Sequence, residues 1–305
     1  MARQLTQIAY DEPYDRPLTV CMGFFDSLHV GHVGLIHKAQ LLAYKYDCAS
    51  AVFTFDNNPF QFLGKDSLQV LTYTERLYRL QKLGVDVVVR ATFDKSFADT
   101  PPIDFLERLI TRKDIKAIVV GSDYTYGKGA QGNVDTLRDF CISHGIELAV
   151  EDMRLLADGN KISSRYLRKL VEQADLKEIA TQLGAPYFVV GKVVHGRADG
   201  AKLGFKTANI EYPVCKTKLP QGVYDTNVII DGIILKAVTN VGAHPTFGDD
   251  NYNIEAHVIG LQRDVYDKEI VVEFISKIRD IRRFDNKEQL SCQIKKDIDY
   301  VLRQN

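Results

Sequence analysis

Near Gly184-Ala185-Pro186 the apolar pattern of the chain changes period, and no single sheet architecture accommodates both sides of that change. Before it, apolar runs at 18–25, 49–55, 85–89, 117–120 and 146–150 alternate with helix-period segments. That order builds a parallel sheet from βα units and predicts a doubly wound α/β domain. Val33, Leu35, Ile36, Ala39, Leu42 and Ala43 recur at helical spacing, and Thr72 with Glu75 makes a capping box for a helix whose Leu77, Leu80 and Leu83 face one way. Further helices are expected over 133–143, 164–173 and 176–183. After the break come extended runs at 187–194, 223–230, 233–241, 254–259 and 270–275, with Asp231-Gly232 between two of them as a type I′ hairpin signal. This half reads as an antiparallel β domain, a small barrel. Asp285 and Glu288 form a capping box for a last helix, whose Leu290, Ile294, Ile298, Val301 and Leu302 should close one end of it. The expected division is 1–183 and 184–305, in keeping with two domains in 305 residues.

Thirty-nine Lys and Arg against 40 Asp and Glu leave a net charge of −1, so no chain-wide positive field exists to hold a nucleic acid. Phosphate, if bound, is bound locally. Five cysteines, odd in number and far apart, read as reduced, mostly buried thiols. No apolar stretch is long enough to span a membrane, and the N-terminus lacks a leader's apolar core. A cytoplasmic protein with small-molecule partners is the expectation.

The first candidate site is Gly23-Phe24-Phe25-Asp26-Ser27-Leu28-His29-Val30-Gly31-His32, at the carboxyl end of the first strand and the start of the first helix. Open α/β sheets bind ligands there, and a helix N-terminus favours phosphate. Two imidazoles flanking a glycine can donate to the oxygens of a transferring nucleotidyl group. A pair of surface histidines, or half a metal site, is the plainer alternative. A second glycine set, Gly127, Gly129 and Gly132, spells G-x-G-x-x-G, as a dinucleotide-binding oxidoreductase would. It follows its strand six residues too late for the tight turn that fingerprint requires. Lys161-Ile162-Ser163-Ser164-Arg165-Tyr166-Leu167-Arg168 brings hydroxyls and cations to a helix start, where serines also cap without any ligand.

In the second half, Gly196, Gly200 and Gly204 alternate with Arg197, Lys202 and Lys206 ahead of Thr207-Ala208-Asn209. Such a loop can fold over phosphates, and Thr207 and Asn209, two apart on an extended segment, offer oxygens to Mg²⁺ from one side. Glu255 is the only acid in its apolar-flanked run, either a general base or a solvent-facing strand position.

Taken in order, these pieces with Leu219-Pro220-Gln221-Gly222-Val223-Tyr224 and Asn240-Val241-Gly242-Ala243-His244-Pro245-Thr246-Phe247 resemble the bifunctional bacterial riboflavin kinase/FMN adenylyltransferase (FAD synthetase) family over nearly the whole chain. The resemblance implies a nucleotidyltransferase domain followed by a six-stranded kinase barrel. It implies that His29 and His32 act on the ATP phosphates in adenylyl transfer. Gly23, Phe25, Asp26, Gly31, Asp123, Ser163, Ser164, Arg168 and Gly204 would bind ATP or its phosphates. Thr207 and Asn209 would hold Mg²⁺ with ATP, and Glu255 would take the proton of the riboflavin 5′-hydroxyl. Departures from the family pattern concentrate in the first half: Phe24 for Asn, Ser27 for Gly, Asn57-Asn58-Pro59 for Pro-His-Pro, and Lys161 and Arg165 for Arg and Thr. In the second half the main one is Lys206 for Pro. The implied activity is riboflavin to FMN and FMN to FAD; a kinase with a degenerate or regulatory first domain is the alternative.

Overall fold

The computed structural model describes residues 5–64, 68–152, 161–195, 205–243 and 252–304. It divides into two compact units, Met1–Ser164 and Arg165–Asn305.

In the first unit six strands, β1 (Thr6–Ala9), β2 (Tyr14–Met22), β3 (Ala49–Phe55), β4 (Val87–Ala91), β5 (Lys113–Gly121) and β6 (Glu147–Glu151), form one sheet in the order β1-β4-β3-β2-β5-β6. Every neighbouring pair is parallel. The connecting helices are α1 (Val30–Lys45), α2 (Pro59–Phe62), α3 (Tyr73–Lys82), α4 (Lys95–Ala98), α5 (Pro102–Thr111) and α6 (Val134–His144). Leu18, Val20 and Met22 share a core with Phe105 and Leu109 of α5 and Leu137 and Phe140 of α6. The buried residues of α1 lie outside that core, although α1 also packs over β2, β3 and β5. Helices therefore cover both faces, as a doubly wound sheet requires.

Four elements of this unit escape the periodicity: β1, the single-turn helices α2 and α4, and α5. β1 is four half-exposed edge residues, too short to alternate visibly. The α5 helix opens on Pro102, which reads as a breaker but sits where a helix has no use for the missing N–H. The strand expected over 18–25 is β2, which ends at Met22 instead of Phe25, because Phe25 has φ 55° and leaves the extended region. The Thr72–Glu75 capping box forms as read, but the buried face of α3 carries Glu75, Arg76, Arg79 and Leu80, with Leu77 and Leu83 only half-buried.

The second unit holds α7 (Ser164–Glu172, whose first residue closes the first unit), α8 (Leu176–Leu183) and six strands: β7 (Tyr187–Lys192), β8 (Ala208–Glu211), β9 (Gly222–Ile230), β10 (Ile233–Ala243), β11 (Tyr252–Val258) and β12 (Glu269–Arg279). These run β7-β12-β9-β10-β11-β8, each pair antiparallel. The Val194 N–H donates to the Asn209 carbonyl at 2.8 Å, drawing the two edges together into a nearly closed barrel. Asp231 (φ 52°) and Gly232 (φ 80°) join β9 to β10 with Ile230 opposite Ile233, the two positive angles a type I′ turn demands. The last helix, α9 (Lys287–Arg303), lays Ile298 and Val301 on Val223 and Val238.

Its cap is one residue later than read: Asn286 accepts the Gln289 N–H at 2.8 Å, and Gln289 accepts the Asp285 N–H. Leu302 is exposed, since one step beyond Val301 turns a side chain about 100° away from the barrel. No disulfide joins any of the five cysteines. Only Cys21 and Cys141 are buried, while Cys48 and Cys215 are half-buried and Cys292, on the outer side of α9, is exposed.

Candidate active sites

The sheet order decides where the first site must lie. From β2 the chain crosses to β3 on one side, and from β5 to β6 on the other, so the carboxyl ends of β2 and β5 flank the point where the winding reverses. Open α/β sheets leave a crevice there. The loop after β2 is tightly shaped. Phe25 and Leu28 both take left-handed backbone (φ 55° and 47°) and are both buried, and a Cβ on Gly23 would lie 2.9 Å from the Phe25 ring. Only glycine fits at 23 without moving that ring.

His29 caps α1: its Nδ1 accepts the His32 N–H at 3.2 Å. An accepting Nδ1 puts the proton of a neutral ring on Nε2. The two imidazoles stack, and the Phe25 ring meets His32 edge-on at 5.2 Å. Burial lowers His29 to about 4, with the Arg79 charge adding to the effect. Burial beside His29 also holds His32 well below its usual value. Near pH 7 both rings are neutral, and His32 Nδ1 is buried without a hydrogen-bond partner among the described residues. Gly31 lies between them in the first turn of α1.

The remaining expected phosphate residues divide. Buried Asp26 accepts the Val70 N–H at 3.2 Å, and its carbonyl accepts the Leu71 N–H at 3.1 Å, fixing the loop to the segment before α3. The Ser164 hydroxyl donates to Ser27 Oγ at 3.3 Å, so Ser164 meets the loop. Exposed Asp123, just beyond β5, lies 3.9 Å from the Lys161 ammonium. Arg168 is half-buried on α7, in the second unit. The G-x-G-x-x-G glycines make no strand-to-helix turn: Tyr126 and Gly132 exchange both backbone hydrogen bonds, closing a small loop around Gly127 and Gly129 (φ 71° and 61°).

One residue at this site went unread. Arg76 is fully buried, and its Nη1 donates to the Phe24 carbonyl (3.0 Å) and to Thr54 Oγ1 (2.7 Å), its Nη2 to the Phe55 carbonyl (2.8 Å). Its helical spacing with Arg79 and Leu80 is the available signal: two arginines on what ought to be an apolar face.

In the second unit, β11 pairs with both β8 and β10, and the registers set Asn209 opposite Glu255 and Glu255 opposite Asn240. Residues opposite one another share a face, so three polar side chains form a row across three strands. Thr207 extends it: Asn209 Nδ2 lies 3.4 Å from Thr207 Oγ1, and Asn209 Oδ1 accepts from Asn253 at 3.5 Å. Hydroxyl, amide and carboxylate oxygens are the hard donors that suit Mg²⁺.

Two cavities meet at Thr207. One, of about 190 Å³, is also lined by Asn209, Val193, Ala256 and Tyr266. The other, of about 410 Å³, has Glu255 and Asn240 on one wall and Phe205, Val238, Phe284 and Ile294 on others. Across it, Arg279 holds buried Asp297 of α9 through Nε (3.2 and 3.1 Å) and Nη2 (2.8 Å), a tie no local pattern announces. Gly196, Arg197, Gly200, Lys202, Gly204 and the motif residues His244, Pro245, Thr246 and Phe247 lie outside the described residues.

A doubly wound parallel sheet with a histidine-bearing loop at its switch point, followed by an antiparallel barrel with a Thr/Asn/Glu row, defines a two-domain transferase. Residues 11–166 match the FAD synthetase family model and residues 183–304 the riboflavin kinase model. The chain belongs to the bifunctional riboflavin kinase/FMN adenylyltransferase family. Curated proteins of that name from Bacillus subtilis (30% identical, covering 93% of this chain and 91% of theirs) and Haemophilus influenzae (32%, covering 91% of each) are among its relatives. A crystal structure described as a macrolide-efflux protein from Streptococcus pneumoniae superposes with a TM-score of 0.82 at 28% identity, covering 97% of this chain and 98% of that one. Among the described residues no helix is long and apolar enough to cross a membrane.

Proposed function

We propose that the chain phosphorylates riboflavin with ATP to give FMN and then adenylylates FMN to FAD, releasing pyrophosphate. The observation that carries the kinase half is the register of Asn209 and Glu255 across β8 and β11, with Thr207 shared by two cavities. The larger cavity, walled by Phe205, Val238, Phe284 and Ile294, suits an isoalloxazine ring, and the smaller suits the nucleotide. Glu255 then takes the proton as the flavin 5′-oxygen attacks the γ-phosphorus and ADP leaves. Thr207 and Asn209 would hold Mg²⁺, which offsets phosphate charge when bound.

In the first domain, the phosphate oxygen of FMN attacks the α-phosphorus of ATP while His29 donates Nε2–H toward the departing pyrophosphate. A neutral donor does this without carrying a charge into a buried site. Ser164, joined to Ser27, Gly31 at the helix start and Asp123 with Lys161 support a phosphate site along the same sheet edge. Gly23 and Phe25 shape that loop, Asp26 anchors it, and Ser163 and Arg168 are assigned to ATP with it. Gly204, in the glycine-rich basic run ahead of Thr207, would bind ATP phosphates through backbone N–H groups. We divide the activities at 1–183 and 184–305. An even charge and cysteines outside any disulfide support a cytoplasmic enzyme with ATP and flavins, not nucleic acid, as partners.

The test is to incubate the protein with riboflavin and Mg²⁺–ATP and separate the flavins. Both FMN and FAD are expected; FMN alone would reduce the reading to the kinase, and neither would overturn it.

A further inference from the structure

The loop that carries His29 and His32 is held at its base by a fully buried cation. Arg76 is fully buried, and its hydrogen bonds tie the loop to the end of the neighbouring strand β3: it donates to the carbonyl of Phe24 in the loop and to the hydroxyl of Thr54 and the carbonyl of Phe55 at the end of β3. Thr54 itself donates to the Phe24 carbonyl at 2.7 Å, so one backbone oxygen receives two donors. The guanidinium also lies 5.0 Å from the Phe24 ring centroid and 5.4 Å from that of Tyr73. A buried cation is expensive unless its fork is used; here Nη1 and Nη2 donate to two carbonyls and a hydroxyl, while Nε has no partner among the described residues. Immediately after Phe24 come Phe25 and, three residues on, Leu28, both held left-handed against their preference. Strained backbone persists only where its surroundings over-determine it. Pinning the Phe24 carbonyl fixes where that strained turn begins and thereby where the His29 ring stands, five residues after Phe24.

We propose that Arg76 is the positioning residue of the adenylyl-transfer loop, with Thr54 as its relay. The inference rests on the adenylyl-transfer reading given above. Its effect belongs in the chemical step, because a small misplacement of a catalytic donor is felt most where charge develops.

The experiment measures FAD formation from supplied FMN by wild type, Arg76→Met, Arg76→Lys, Thr54→Val and the Thr54→Val/Arg76→Met double variant. Each is normalised to the folded fraction of the first unit by its thermal transition. Arg76→Met should lower kcat about 100-fold with a much smaller change in the KM for ATP. Arg76→Lys, keeping the charge but not the fork, should recover part of that loss, and Thr54→Val should lose about tenfold. The double variant should be no worse than Arg76→Met alone, as expected of one network. Normal kcat per folded Arg76→Met protein, or additive losses in the double variant, would overturn the positioning role. Should Arg76→Met fail to fold, Thr54→Val with unchanged kcat would overturn it equally. Wild type that makes FMN but no FAD would instead overturn the adenylyl-transfer reading, and the inference with it.

Discussion

The imidazole rings of His29 and His32 lie face to face, 3.7 Å between centroids and 14° from parallel. Two cations could not share that space. Stacking and burial therefore commit both rings to the neutral form, and the stability of the first unit becomes pH-dependent in a defined direction. In the unfolded chain each ring protonates near 6.5; in the folded chain His29 does so only at about 4, and His32 well below its usual value. The unfolded state binds more protons between those limits, so the stabilisation is complete above about pH 6.5 and is lost as pH falls toward 4. Each ring that stays neutral costs about 1.4 kcal/mol per pH unit over that interval. Urea unfolding followed at pH 7, 6 and 5 should show the decline, and His29→Gln should flatten it. An unchanged slope in that variant would mean that the ring is already charged in the folded state.

His29→Ala should lower FAD formation about 100- to 1000-fold, the loss seen when one oriented donor is removed. FMN formation should be unaffected, since Glu255 and Thr207 sit in the other unit. Equal rates of FAD formation would show that the Nε2–H of His29 faces no phosphate.

Much of this was legible in advance, for reasons that differ by residue. Asp231-Gly232 announces its hairpin because a type I′ turn is a local demand on two φ angles, and the Thr72–Glu75 box is local for the same reason. His29 and His32 could be placed at the carboxyl edge of the sheet because strand-then-helix order fixes that edge. The Asn209–Glu255–Asn240 row could not be read, since which residues oppose each other depends on register between strands far apart in the chain. Arg76 and Asp297 were hidden for a third reason: a charged residue on a helix reads as solvent-facing until its distant partner, Phe24 carbonyl or Arg279, is known.

That hidden partner makes Asp297 a sensitive position. Its carboxylate is buried, bound by Arg279 through two nitrogens and by Gln293 at 2.6 Å. Asp297→Asn leaves the half-buried guanidinium against a neutral amide and should destabilise the second unit by up to about 3 kcal/mol, the lower end for a buried pair because Arg279 keeps some solvent. Because α9 and Arg279 wall the larger cavity, the KM for riboflavin should rise as well. Chemical denaturation and steady-state kinetics read the two effects separately. Unaltered stability would show that the pair gains nothing over its hydration.

Where the second domain is cut also matters. Leu176, Ile179 and Leu183 of α8 are buried, and α8 packs on β7 and β12. A fragment beginning at Arg165 should therefore fold and make FMN. One beginning at Gly184 exposes what α8 covered and should be less stable by several kcal/mol, at about 1.5–3 kcal/mol for each large apolar side chain lost. Equal melting temperatures for the two fragments would make α8 dispensable to the barrel.

The kinase assignment itself turns on Glu255. The carboxylate stands beside Asn209 and Asn240 on one face of the barrel and lines the larger cavity, half-buried. A hydroxyl nucleophile entering that cavity needs an acceptor for its proton as it attacks phosphorus, and a neighbouring amide cannot serve. Glu255→Gln keeps the shape and removes the acceptor, so FMN formation should fall by about two to four orders of magnitude. Riboflavin should still bind, because the cavity's apolar walls are untouched; flavin fluorescence titration measures that directly. FMN supplied to the same variant should still become FAD. A variant with near-normal kinase turnover would remove Glu255 from the proton path and leave it a structural member of the row. Loss of riboflavin binding along with turnover would point to a role in holding the substrate.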